Sequence, residues 1–367
     1  MLFFTAMDDL FFIKRALTLA ERARGKTSPN PMVGALLVKH GRIISEGYHK
    51  KAGTPHAEVI AIDKAGEKAT GSTLYVSLEP CCHKDKRTPP CTEKIISSGI
   101  RKVVIAMKDP NPKVSGKGIA ELEKAGIETI AGVLEEKSRK LNESYIKYIT
   151  TGLPFVILKV AMTLDGKIAT PDGESKWITG EEARKMVHRL RGSSDAVLTA
   201  IGTVKADNPQ LTCRVSGHKN PVRVIIDPRL ETRLDSNVVS CPPETIIVTR
   251  KAIDKESILQ TFREKGISFI EYQGEQIDLT WLMKELGKRH ITSVLIEGGS
   301  SLSSYCLEAG IVDKVMFFIA PKIIGGRDSF PAIGGKSFRR LAEAHRIRNI
   351  ITRRIGQDIL IEGYIQK

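Results

Sequence analysis

Residues 8–24, DDLFFIKRALTLAERAR, repeat apolar side chains three and four positions apart and stop at Gly25, which predicts an amphipathic helix. The runs VGALLV and RIISEGYH flank His40–Gly41 and predict a strand pair around a tight turn. A helix from about 56, a strand TLYVSL, a helix from about 91 and a strand KVVIAM follow. A helix near 117–125, a short strand IETIAG and a polar helix from 135 to about 149 complete this half. Alternating strands and helices predict a sheet sandwiched between helices.

TTGLPFVILKVAMTLDG marks a boundary: Gly152 and Pro154 punctuate it, and FVILKVAM reads as a buried strand. The expected domains are therefore 1–150 and 151–367. Further strands are expected at DAVLTAI, VRVIID, TIIVTR, SVLIEGG, KVMFFIAP and DILIEGYI. Helices are expected at about 180–191, 255–265, 278–288 and 300–308, giving a second α/β domain.

The 367 residues exceed one ordinary core, which agrees with two domains. No apolar run approaches a membrane span. The opening MLFFTAMDDLFF lacks a basic start and is interrupted by Asp8 and Asp9, so it reads as an extension rather than a signal peptide, with Met7 an alternative start. Six cysteines, three clustered and three scattered, form no disulfide framework and point to a reducing cytoplasm. The net charge of +15 suits nucleic acid, a phosphorylated small ligand or solubility alone. Aromatics at 5% and dispersed basic residues weaken the nucleic-acid reading, which needs stacking platforms.

The densest chemistry lies in PHAEVIAIDKAG and LEPCCHKDKRTPPC. His56, Cys81 and Cys91 can supply three zinc ligands, each expected near a helix start, where the dipole favours thiolate. Glu58 lies about 200° round a helix from His56, so it can face a reacting water instead of the metal. Histidine, glutamate and two cysteines in this order are the signature of zinc nucleobase deaminases. The competing reading is a closed structural site with Cys82 or His83 as fourth ligand; otherwise Cys82 is expected to pack into the core.

In the second half, VLIEGGSSLSSYCLEAG reads as strand, Gly-Gly-Ser-Ser turn and helix, a weak anion-binding signal. Lys159 on a buried strand invites an electrostatic role, and Glu297 falls at a strand's carboxyl end, where open α/β sheets build sites.

SPNPMVGALLV, HAE, LEPCCH and RTPPC resemble the deaminase half of the bifunctional riboflavin-biosynthesis deaminase–reductases. LKVAMTLDGKIATPDGESKWITG and GTVKADNPQLTCR resemble the reductase half. The resemblance implies a cytidine-deaminase-like α/β/α sandwich followed by a dihydrofolate-reductase-like α/β domain. It implies zinc-dependent deamination of a diaminopyrimidinone ribosylamine 5'-phosphate, then reduction of its ribosyl group by NADPH. By the same resemblance His56, Cys81 and Cys91 hold zinc, Glu58 carries protons, and Asn30, His49, His83 and Arg87 touch substrate. The loop from Cys81 to Cys91 is one residue longer than the family pattern PC-x-H-x-G-[RK]-TPPC and lacks its glycine, so a bulge is expected there.

In the reductase half, NADPH contacts are implied for Ala161, Trp177, Thr203, Asp207 and the turn Gly299, Ser300, Ser301, Leu302, Ser303, Ser304 and Tyr305. Substrate contacts are implied for Ser175, Arg191, Leu211, Arg214 and Glu297. Arg191 and Arg214 are expected on the phosphate and Lys159 with Glu297 beside the hydride transfer. The expected partner is a phosphorylated pyrimidine, not nucleic acid or membrane, and a homo-oligomer is expected. The alternative is a nucleic-acid-editing zinc deaminase with an appended RNA-binding domain; a zinc-stabilised binding protein without turnover is a third reading.

Overall fold

The computed structural model describes residues 2–83, 89–251, 256–336 and 338–366. They form two compact units, 1–152 and 153–367.

The first unit runs α1 (Leu2–Glu21), β1 (Gly34–Lys39), β2 (Arg42–Tyr48), α2 (Ala57–Ala65), β3 (Thr73–Val76) and α3 (Cys91–Ser97). It continues with β4 (Lys102–Ile105), α4 (Lys117–Lys124), β5 (Glu128–Ala131), α5 (Glu135–Leu141) and α6 (Glu143–Thr151). The sheet order is β2-β1-β3-β4-β5. β1 pairs antiparallel with β2 and β3, while β3, β4 and β5 are parallel. Period-two side-chain alternation splits the core between two faces. Ala35, Leu37, Leu74, Val76, Val103 and Ile105 join one cluster with α2, α3 and α4; Leu36, Val38, Tyr75 and Val104 pack on α1. Gly34 permits that packing, because a Cβ there would lie 2.1 Å from the Ala16 carbonyl oxygen. The expected polar helix 135–149 is two helices broken at Asn142.

The second unit begins β6 (Phe155–Thr163), β7 (Lys167–Ala169), α7 (Glu181–Ser193), β8 (Ala196–Ala200), α8 (Ile201–Asp207), β9 (Val222–Ile226) and α9 (Asn237–Ser240). Then come β10 (Thr245–Arg250), α10 (Glu256–Glu264), β11 (Ser268–Tyr272), α11 (Leu279–Lys288), β12 (Ser293–Ile296) and α12 (Ser300–Glu308). It ends with β13 (Lys314–Ala320), β14 (Phe330–Pro331), β15 (Ile347–Ile355) and β16 (Asp358–Ile365). Among the described residues one nine-stranded sheet has the order β11-β10-β9-β8-β12-β6-β13-β16-β15. β6 and β12 are central, so their carboxyl ends open onto one edge flanked by β8 and β13. The sequence pattern predicted neither edge strand. β11 is short, and β15 is exposed along almost its whole length, so it lacks the apolar alternation that marks a half-buried strand.

Candidate active sites

His56 stands immediately before α2 and Cys91 is the first residue of α3. Cys81 lies in the segment after β3, not at a helix start as expected; Thr92 N–H donates to its carbonyl at 3.3 Å, tying it to α3. His56 Nδ1 is 3.2 Å from Cys91 Sγ and 3.5 Å from Cys81 Sγ. The three ligand atoms fall within 4.8 Å of one another, the only such His/Cys/Asp/Glu group among the described residues. An imidazole and two thiols at this spacing fit zinc. Glu58 sits in the first turn of α2, buried, with Oε2 making no hydrogen bond. Burial pushes its carboxyl up, while the nearby His56 pulls the other way. An unsatisfied buried carboxylate oxygen beside an open ligand set is what a group waiting for a proton-bearing water looks like.

His49 is 3% exposed, so the strand-end histidine is not solvated. Its Nδ1 is 3.2 Å from the Pro55 carbonyl oxygen, which can only accept, so Nδ1 carries the proton. Nε2 then accepts from Asn30 Nδ2 at 3.2 Å, which fixes the orientation of the Asn30 amide. The His49 and His56 rings meet edge to face at 5.3 Å. Asn30 is thereby linked through His49 to the ligand set. Cys82 is half-buried rather than packed into the core, and His83 follows it, also half-buried. Arg87 and the expected bulge lie outside the described residues.

Behind the ligands, Glu79 accepts backbone N–H groups from Asp109, Gly116 and Ile119 at 3.1, 3.0 and 3.2 Å. Asp109 accepts from Tyr145 at 2.9 Å; burial raises its carboxyl pKa to about 6. The sequence reading missed this support because its partners lie 30 to 40 positions apart.

In the second unit, register pairs Ile296 with Leu158, so the next residues, Glu297 and Lys159, fall side by side. Lys159 Nζ reaches Glu297 Oε2 at 3.1 Å. Arg191, from α7, reaches Oε1 at 2.6 Å through Nε and Oε2 at 3.1 Å through Nη2. Burial works to raise the Glu297 pKa, but Arg191 and then Lys159 overcome it and hold it at about 2. A third Arg191 donor, Nη1, is 3.2 Å from the Thr212 carbonyl. The guanidinium expected on a phosphate is thus bound within the protein on both edges of its fork. Arg214 is exposed and meets Gln210 at 3.3 Å. His188, one turn before Arg191, donates to the same Thr212 carbonyl at 3.1 Å. Its three-residue spacing from Arg191 was the available signal.

Leu211 is buried in an apolar cluster with φ +54°, so any ligand contact there is made by its backbone. Lys176 bridges to Asp207 at 3.1 Å, bringing the Ser175–Trp177 loop to the end of α8, which carries Thr203. Trp177 is exposed beneath Arg184, 4.6 Å from its ring centroid. Ala161 is half-buried on β6.

Helix α12 follows Gly299, which offers no side-chain cap, and Ser300 Oγ is buried without a partner. Uncapped N–H groups and an unsatisfied hydroxyl fit the diphosphate of a dinucleotide. Ser301 is exposed at this end. Leu302 is core, Ser303 donates to the Gly299 carbonyl, Ser304 to Glu308 and Tyr305 to the Ile277 carbonyl. These four side chains are engaged within the protein, and the Ser303 N–H already donates to the Gly299 carbonyl at 3.1 Å, so the backbone left for a ligand at the turn is that of the residues before Ser303. Gly334 donates to the Ser300 carbonyl at 3.1 Å, which places the loop 325–335 against the same turn.

A family model, the RibD C-terminal domain, matches residues 154–361, and the cytidine and deoxycytidylate deaminase zinc-binding region matches 7–107. The riboflavin biosynthesis protein RibD of Aquifex aeolicus is 46% identical, covering 96% of this chain and 97% of that protein. The solved structure of Acinetobacter baumannii RibD matches with a TM-score of 0.89 at 38% identity, over 99% of this chain and 100% of that one. A Thermotoga maritima diaminohydroxyphosphoribosylaminopyrimidine deaminase/5-amino-6-(5-phosphoribosylamino)uracil reductase matches with a TM-score of 0.86 at 39% identity, over the same shares. These relatives lend nothing to the nucleic-acid-editing alternative. With a zinc-binding deaminase unit followed by a reductase unit, the chain belongs to the RibD family, the bifunctional deaminase–reductases of riboflavin biosynthesis.

Proposed function

We propose that the first unit hydrolytically deaminates a diaminopyrimidinone ribosylamine 5'-phosphate and that the second reduces its ribosyl group with NADPH. The observation that carries the first step is the buried, unsatisfied Glu58 oxygen beside His56, Cys81 and Cys91. Zinc held by those three residues supplies Lewis acidity that makes a water nucleophilic near neutral pH. Glu58 takes a proton from the attacking water and delivers it to the departing ammonia. Asn30, oriented by neutral His49, holds the polar edge of the ring; the family resemblance adds His83 as a further substrate contact and Arg87 as the phosphate partner.

In the second unit NADPH supplies the hydride. The first turn of α12 and the Trp177 loop bind the cofactor, with Ala161, Thr203 and Asp207. Lys159 and Glu297 orient the sugar carbon that accepts the hydride, and Arg191 holds Glu297 ionised. Exposed Arg214 is the phosphate partner; Ser175 and the Leu211 backbone complete the substrate contacts.

The partner is a phosphorylated pyrimidine rather than nucleic acid. Six cysteines, none in a disulfide, suit a reducing cytoplasm. Exposed Ile350 on edge strand β15 favours a homo-oligomer. The pure chain should release ammonia from the pyrimidine phosphate without NADPH and consume NADPH only afterwards. NADPH consumption that precedes ammonia release would reverse the assigned order.

A further inference from the structure

The polar segment after Glu135 breaks at Asn142, whose backbone leaves the helical region at φ −108° and ψ 23°. An asparagine at a helix start ordinarily turns its side chain onto that helix's N–H groups. Asn142 makes no such cap. Its Oδ1 accepts from Met32 N–H at 2.8 Å and its Nδ2 donates to the Met32 carbonyl at 3.1 Å, across 110 positions. One side-chain amide thus does for Met32 what a neighbouring strand would do. Asn142 is 2% exposed, so neither bond competes with bulk water.

Met32 is two residues beyond Asn30, in a segment rich in proline and without regular structure. That segment carries little apolar packing of its own: Asn30, Pro31 and Met32 are all half-buried. Its place relative to the sheet therefore depends on directed hydrogen bonds. Asn30 N–H donates to Thr27 within the loop; the Asn30 side chain and the Val33 carbonyl meet His49, and Met32 is where the loop backbone is held by the α5–α6 pair. The inner side of the α5–α6 pair is polar on both sides of Asn142. Ser138 donates to the Ser77 carbonyl at 2.6 Å, and Tyr145 to Asp109 at 2.9 Å. The same element thus also touches the strand that leads to Cys81 and the loop bound by Glu79.

We propose that Asn142 is a positioning residue for deamination. By holding both backbone groups of Met32 it sets where Asn30 presents its amide to the pyrimidine. The inference rests on reading Asn30 as a substrate contact. A binding group that is displaced but not removed weakens ground state and transition state alike, so KM moves and kcat does not.

The test uses the full-length chain with Asn142→Ala, Asn142→Asp, Asn30→Ala and, as a control, Ser72→Ala. Ser72 donates a buried hydrogen bond to the Ala69 carbonyl, away from the loop. Asp keeps the size of Asn142 and the acceptor for Met32 N–H but sets a carboxylate against the Met32 carbonyl. For ammonia release, both Asn142 variants should raise KM roughly tenfold with kcat within about twofold. Zinc content and reductase turnover should hold, and Ser72→Ala should lower only the melting temperature. If Asn30→Ala raises KM and neither Asn142 variant does, the positioning role fails while the Asn30 contact stands. If Asn30→Ala leaves KM unchanged, the Asn30 contact fails and takes the inference with it. Loss of zinc or of folded protein in both Asn142 variants would overturn it in favour of a scaffold role.

Discussion

Arg191 and Glu297 meet through two hydrogen bonds, of 2.6 and 3.1 Å, although 106 positions separate them in sequence. With Lys159 at 3.1 Å they form a buried cluster of two cations and one carboxylate. The carboxylate is the piece that makes the cluster tolerable, since removing one member of a buried pair strands the other charge.

Glu297→Gln should therefore destabilise the second unit by roughly 3 to 5 kcal/mol at neutral pH and abolish reduction. The pH dependence has a definite sign. The folded carboxyl sits at about 2 against an ordinary 4.5, so its stabilisation is complete above 4.5 and is lost as pH falls towards 2. Urea titrations of wild type should show that acid loss, and Glu297→Gln should flatten it. An equally steep acid limb in the variant would place the titration elsewhere.

Exposed Arg214 and enclosed Arg191 should respond differently to truncation. Arg214→Ala should raise the reductase KM for the phosphorylated substrate about tenfold and spare stability, by loss of a charge-assisted contact. Arg191→Ala should lower the melting temperature first, because Glu297 loses its principal partner. Steady-state kinetics beside thermal melts separate the two.

Gly118 bears directly on the metal loop. A Cβ there would stand 2.1 Å from the Pro80 carbonyl oxygen, next to Cys81. Gly118→Ala should push that loop and weaken zinc retention against a chelator, with reductase turnover intact. Unchanged zinc retention would show that α4 yields instead.

The deaminase site was legible in sequence because its ligands are local: His56 with Glu58, and Cys81 with Cys91, each sit in short stretches of distinctive composition. The sheet cores were legible for a similar reason, since short continuous apolar runs such as ALLV and VVI mark strands buried on both faces. Long-range pairings were not. Nothing adjacent to Arg191 announces Glu297, so a free phosphate-binding arginine was the natural expectation. The α12 turn was placed correctly as a helix start, but helical geometry turns Leu302, Ser303 and Ser304 inward, which a glycine-serine pattern cannot show. Asn142 was lost inside an otherwise polar helix pattern because its partner lies 110 positions earlier.

The most direct measurement is ammonia release by Glu58→Gln, taken with its zinc content. Glutamine keeps the shape of Glu58 but cannot accept a proton, so zinc should remain near one per chain while ammonia release falls roughly a hundred- to ten-thousandfold. Supplied with deaminated substrate, the variant should still consume NADPH. Ammonia release at the wild-type rate from the zinc-loaded variant would contradict the role given to Glu58 and the hydrolytic mechanism built on it.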